Sequence, residues 1–168
     1  MRILGFMSGT SLDAVDMADH AARGVSAALE MRQRLEEFNS ERKEGPRLQI
    51  RIGINTGNMM VGLLGGNRRY DYSVLGNEVN IAARFESLNK DFGTSVLVGE
   101  ATLKELKNRF ICRPLGSISL KGKTEQVAVY ELVCRTGRPI PDAVKEFLKL
   151  YEVGYTAIRS NRFTEAIS

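Results

Sequence analysis

Zinc and redox chemistry have few side chains to use here: the sequence contains one histidine and two cysteines. His20 lies in "ADHAARGV", a helical pattern with no neighbouring ligand residues, the setting of a structural histidine. Cys112 and Cys134 are far apart in sequence and lack CxxC spacing, so they suggest neither zinc nor a dithiol pair. No apolar run approaches the roughly 20 residues of a membrane-spanning helix. The start, "MRILGFMSGTSLD", turns polar too early for a signal peptide. The segment is therefore expected to be cytoplasmic with no membrane contact of its own, even if a parent protein is tethered. The net charge of +4 is mild. Without a basic block or interleaved aromatics it gives no reason to expect nucleic acid, and it suits a phosphorylated small ligand equally well. What is present, 43% hydrophobic and 26% charged residues, is enough for one globular domain with a real core.

Hydrophobic spacing organises the chain. Asp19 to Asn39 predicts an amphipathic helix, with Ala22, Val25, Leu29, Leu35 and Phe38 near helical spacing. After a polar break at Ser40–Pro46, Leu48, Ile50, Ile52 and Ile54 alternate with Arg47, Gln49 and Arg51. That predicts a half-buried strand ending at a Thr56–Gly57 turn. Met59–Leu64 and "RRYDYSVLG" predict two strands folded as a hairpin around Gly65-Gly66-Asn67. Gly76 to Asn89 predicts a helix. "TSVLVGEATLKEL" predicts a short strand and a helix from about Glu100. "FICRPLGSISLKGKTEQVAVYEL" predicts two strands broken at Lys121–Glu125. This mixture of hairpins and helices indicates an α+β fold. Residues 134–141 form a Gly/Pro linker, and 142–168 predict a helix, a turn and the start of a second helix.

The stretch "VLGNEVNIAARFES" holds the main chemical signal. Asn80 and Arg84 are four residues apart, so a helix would place them on one face. Alone, the pair fits a solvated surface. Its context is "IRIGINTGNMMVGLLGGNRRYDYSVLGNEVNIAARFES", with Gly53, Gly57, Gly62, Gly65, Arg69, Gly76, Val79, Asn80, Ala82, Ala83, Arg84 and Glu86 in order. That series resembles the class III adenylate/guanylate cyclase catalytic domain, and "LKGKTEQVAVYEL" continues the likeness, which spans about Asp19 to Leu132. The resemblance implies a ferredoxin-like α+β domain that converts ATP to cyclic AMP and pyrophosphate at a dimer interface, with a homodimer partner or a second cyclase domain. It implies that Asn80 hydrogen-bonds the ribose and that Arg84 stabilises charge on the α-phosphate. It further implies that Lys121, in "SLKGKT", binds the terminal phosphates, a place Lys123 fits less well. Ser73 would read the adenine edge, where cysteine would suggest guanine. Apart from the family context, Lys121 reads as an exposed turn lysine and Ser73 as a strand-face serine.

The family also implies two aspartates that hold Mg2+ or Mn2+. They belong to motifs of the form F-x-D-I-x-G-F-T and G-D-x-x-x-A-x-F, and neither motif is present. In "RILGF" Arg2 occupies the aspartate's place, and "LDAVDMA" nominates only Asp13, with Asp16 next to be considered. "GFMSGTSLDAVDMA" instead resembles the N-terminus of anhydro-N-acetylmuramic acid kinases, whose "GTSLDAVD" would be a phosphate-binding turn. Residues 1–18 thus read as a foreign segment before an incomplete cyclase domain at 19–133. A bare sheet edge would then invite pairing with another chain. Gly154, Phe163 and Ala166 are spaced as in a tetratricopeptide unit, and a single unit cannot bury its own face. Three functions follow: a cyclase half-site that is weak or inactive alone, a non-catalytic dimerisation or regulatory module, and a sugar-kinase fragment.

Overall fold

The computed structural model describes residues 2–7, 19–66, 69–119 and 126–161, and the chain divides into the units Met1–Arg135 and Thr136–Ser168. The first unit runs β1 (Arg2–Met7), α1 (His20–Glu41), β2 (Ile52–Asn58), β3 (Met60–Gly66), β4 (Arg69–Leu75), α2 (Asn77–Phe92), β5 (Val96–Gly99), α3 (Glu100–Glu105), β6 (Phe110–Ser119) and β7 (Gln126–Arg135). Five strands form a mixed sheet in the order β1-β2-β5-β7-β6, in which only β2 and β5 are parallel. Strands β3 and β4 pair antiparallel as a separate two-stranded sheet, the expected hairpin. The α+β, ferredoxin-like expectation holds.

The alternation of side chains along β2 and β5 divides the core in two. Ile52, Ile54, Val96 and Val98 face α1 and join Leu106, Phe110 and Leu132. Helix α1 meets them through Ala21, Ala22, Val25 and Ala28, all buried; three of these are alanines, so the helix lies close to the sheet. Leu97 points the other way and packs with Val129 against Ile81 and Phe85 of α2. The sheet is therefore covered on both faces, which is why "VLV" is a continuous apolar run rather than an alternating one.

The sequence reading changes most around β2. The strand expected from Leu48 begins only at Ile52. The Asn39 carboxamide accepts from the Leu48 N–H at 2.9 Å and donates to its carbonyl at 2.8 Å, so Leu48 pairs with a side chain rather than a strand. The turn expected at Thr56–Gly57 is strand instead, because β1 lies antiparallel beside it and pairs Leu4 with Thr56 and Ile3 with Gly57. For the same reason the β2 edge is not bare: Arg2–Met7 covers it and itself becomes the outer strand.

In the second unit, Asp142–Arg159 forms one helix, α4, preceded by Pro141. Along it Phe147 meets Tyr151 in a tilted pair at a centroid spacing of 5.9 Å, and Tyr151 stacks with Tyr155 at 6.0 Å. Gly154 lies inside α4, whereas Phe163 and Ala166 lie outside the described residues.

Candidate functional site

Helix α2 carries the polar pair, and three features fix where it sits. Gly53 lies beneath it: a methyl there would overlap the Ala82 carbonyl oxygen and come within 2.5 Å of the Glu86 backbone nitrogen. Only a bare glycine lets the helix backbone rest directly on β2. At the far end, the buried Asn89 side chain donates to the Ile52 carbonyl at 3.0 Å and the Phe85 carbonyl at 2.9 Å, and accepts from the Thr94 hydroxyl at 2.8 Å. Gly93, in the left-handed region at φ 63°, then ends the helix with its N–H on the Asn89 carbonyl.

Held this way, α2 buries Val79, Ile81, Ala82 and Phe85 and leaves Asn80 and Arg84 exposed. Among the described residues neither of these side chains has a hydrogen-bond or ion-pair partner. By contrast, Glu86 binds Arg51 at 3.3 Å. Arg84, Ser87 and Asp91 form one wall of an open groove of about 480 Å³, and Ile118 and Ser119 at the end of β6 form the other. The structure therefore brings Arg84 to the end of β6, two residues before Lys121 in sequence. Lys121 and Lys123 lie outside the described residues, as do Asp13 and Asp16. Ser73 is half-buried on β4 opposite Gly62 and does not line this groove.

Neither cysteine is poised as a nucleophile. Burial, with smaller contributions from Cys134 and Glu131, pushes the Cys112 thiol up to about 12, and burial also raises Cys134. Both thiols are therefore poor nucleophiles at neutral pH. Among the described residues no three His, Cys, Asp or Glu side chains cluster as a metal site. In this chain the Mg2+ or Mn2+ pair that the resemblance implies would draw on Asp13 and Asp16, and both lie outside the described residues. No described helix is long and apolar enough to cross a membrane.

The family model described as the adenylate and guanylate cyclase catalytic domain matches residues 5–133. The chain belongs to this cyclase family. Adenylate cyclase 1 of Rhizobium meliloti is 42% identical over 116 residues, which cover 68% of this chain and 17% of that protein. The adenylate cyclase of Anabaena cylindrica is 37% identical over 117 residues, covering 64% of this chain and 23% of that protein. Among solved structures, the adenylyl cyclase CyaB from P. aeruginosa is 32% identical with a TM-score of 0.60, over 76% of this chain and 65% of that one. The guanylyl cyclase Cya2 is 28% identical with a TM-score of 0.62, over 73% of this chain and 62% of that one. The chain thus spans only 17% and 23% of the two curated relatives.

Within this cyclase domain the sequence located the pair on α2 but not what seats it. Gly53 stood out only as one of a series of glycines, and Asn89 only as the last residue of the expected helix. Asn89 binds the Ile52 carbonyl, 37 residues away in sequence, and no local pattern announces such a contact. The groove wall at Ser119 was legible only through its neighbour Lys121.

Proposed function

We propose that this cyclase domain supplies the transition-state-stabilising half of a dimer-interface site that converts ATP to cyclic AMP and pyrophosphate. The observation that carries the reading is Asn80 and Arg84 on one exposed face of a firmly seated helix, with no described partner for either. In the reaction the ribose 3′-oxygen attacks the α-phosphorus. The new O3′–P bond forms as the bond to the bridging oxygen of pyrophosphate breaks, and the 3′ proton is lost to solvent or to a base on the partner. Asn80 hydrogen-bonds the ribose and limits it to attack geometry. Arg84 receives the charge that builds on the α-phosphoryl oxygens. Lys121 takes the terminal phosphates, and Ser73, a hydroxyl donor or acceptor, reads the adenine edge. The divalent ions that the family uses would be held by carboxylates of the partner and would neutralise charge on the phosphates.

The test is to incubate the purified chain with ATP and Mn2+, alone and mixed with an intact cyclase domain whose equivalent arginine has been removed. Cyclic AMP in the mixture only is the expected result. Product from the chain alone would return Asp13 and Asp16 to consideration as metal ligands. No product in either tube, from a folded chain, favours the non-catalytic dimerisation module.

A further inference from the structure

The start of α2 poses a problem that its far end does not. Its N-cap is Gly76, which has no side chain to accept from the first backbone N–H groups. Yet Asn80, which must hold a ribose within a fraction of an ångström, sits in this first stretch of helix. The compensating contact comes from β2. Asn55, 3% exposed, lies on the same side of that strand as Gly53 and faces the helix. Its Nδ2 donates to Glu78 Oε2 at 2.7 Å and reaches the Glu78 carbonyl at 3.4 Å. Asn77 Nδ2 adds a contact to Glu78 Oε1 at 3.3 Å.

Two glycines make room for this pair. A methyl on Gly99 would overlap Asn55 Oδ1, and one on Gly57 would overlap Glu78 Cγ and stand 2.9 Å from Cδ. The Glu78 carboxylate also sits in the first helical turn, where it meets the positive end of the helix dipole. We infer that Asn55 and Glu78 are positioning residues, which tie the first turn of α2 to β2 and thereby set the place of the Asn80 carboxamide. The inference rests on the cyclase reading of Asn80. The two ends of the helix are held independently: Asn89 pins the end beyond Arg84, and the Asn55–Glu78 pair pins the end that carries Asn80. Loss of the pair therefore misplaces Asn80 while leaving Arg84 and the phosphate contacts in register.

The test uses the full chain and three variants. Asn55→Leu keeps the branched shape of the side chain and removes both hydrogen bonds. Glu78→Ala cuts the pair at its half-buried member and leaves the strand intact. The double variant Asn55→Asp with Glu78→Gln restores the bond with donor and acceptor exchanged. Amide hydrogen exchange is read first. The expected result is exchange at 80–82, whose N–H groups make the first hydrogen bonds of the helix, about tenfold faster in Asn55→Leu and Glu78→Ala, unchanged at 86–92, and restored in the double variant. In the mixture with the arginine-less partner, kcat falls about 10–100-fold in the single variants while KM for ATP stays within about threefold, and the double variant recovers kcat. A merely structural role would lower the melting temperature without this split. Unchanged exchange at 80–82 in both single variants overturns the inference, as does unchanged kcat in mixtures where the wild-type chain makes cyclic AMP. A wild-type mixture that makes none overturns the cyclase reading, while the exchange pattern still decides whether the pair holds the turn.

Discussion

Replacing Gly53 by alanine tests whether the polar pair depends on how closely α2 sits on the sheet. The added methyl would stand 2.5 Å from the Glu86 nitrogen and 2.9 Å from Phe85 Cβ, besides overlapping the Ala82 carbonyl. Non-bonded carbons rest at about 3.5–4.0 Å, so the helix must lift by roughly 1 Å. Overpacking of this kind costs about 1–3 kcal/mol. The upper end applies here because two of the three neighbours are backbone atoms, which have no rotamer to change. For a chain of this size that is a fall of about 6–12 °C in melting temperature. A 1 Å displacement of Asn80 and Arg84 removes a further ~100-fold of cyclic AMP formation in the mixed assay. Gly62→Ala is the control, since a methyl there meets nothing within 4 Å. The measurements are thermal unfolding by circular dichroism and initial rates in the mixture. A Gly53→Ala chain that melts within about 1 °C of wild type and keeps full activity would show that the helix does not rest on bare backbone.

Arg84→Ala is expected to lower cyclic AMP formation in the mixture by about 10²–10³-fold. The melting temperature should stay within about 1 °C, because the side chain is exposed; a large loss of stability would instead make Arg84 a structural residue. Asn89→Ala leaves the Ile52 carbonyl and the Thr94 hydroxyl without their present partner. It should destabilise by about 3 kcal/mol in urea unfolding with an unchanged m-value, and a change under about 1 kcal/mol would rule out the pin. Cys112, raised by burial from 9.0 to about 12, stays protonated in the fold after the unfolded chain has begun to ionise. Its contribution is complete below pH 9 and is lost as pH rises toward 12, so wild type should lose stability more steeply than Cys112→Ala across that window. Parallel curves would refute the assignment.

Local periodicity carried most of the fold. The helix at Asp19–Asn39, the hairpin and the strand–helix step at Gly99–Glu100 all rest on nearest-neighbour patterns, and they stand at His20–Glu41, Met60–Leu75 and Val96–Glu105. The boundaries that moved depend on distant partners. Leu48 loses its place in the strand to Asn39, and Thr56–Gly57 gains strand pairing from Leu4 and Ile3. The site divides in the same way. That Asn80 and Arg84 share one exposed face was legible because an i, i+4 pair is a property of one helix, whereas the roles proposed for them come from the family resemblance. Gly53, Asn55 and Asn89 act across the gap between helix and sheet, and a sequence alone does not show which helix will lie over which strand.

Exposure of Arg84 sets what the chain can do alone. A unit charge pair at 4 Å is worth about 1 kcal/mol in bulk water and about 4 kcal/mol at an effective dielectric of 20. In the role proposed for it, a guanidinium open to solvent would stabilise the developing phosphoryl charge only weakly, whatever its position. Its full effect requires a second surface that excludes water from the α2 face and the groove beside it. The hairpin of the same unit leaves Met60, Leu63 and Tyr72 at 73%, 68% and 67% exposure, apolar area whose burial can drive such an association. Activity should then behave as a property of a complex: specific activity in the mixture falls on dilution as the partners separate. Constant specific activity across a roughly hundredfold dilution, with dissociation confirmed by sedimentation, would mean that one chain closes the site by itself.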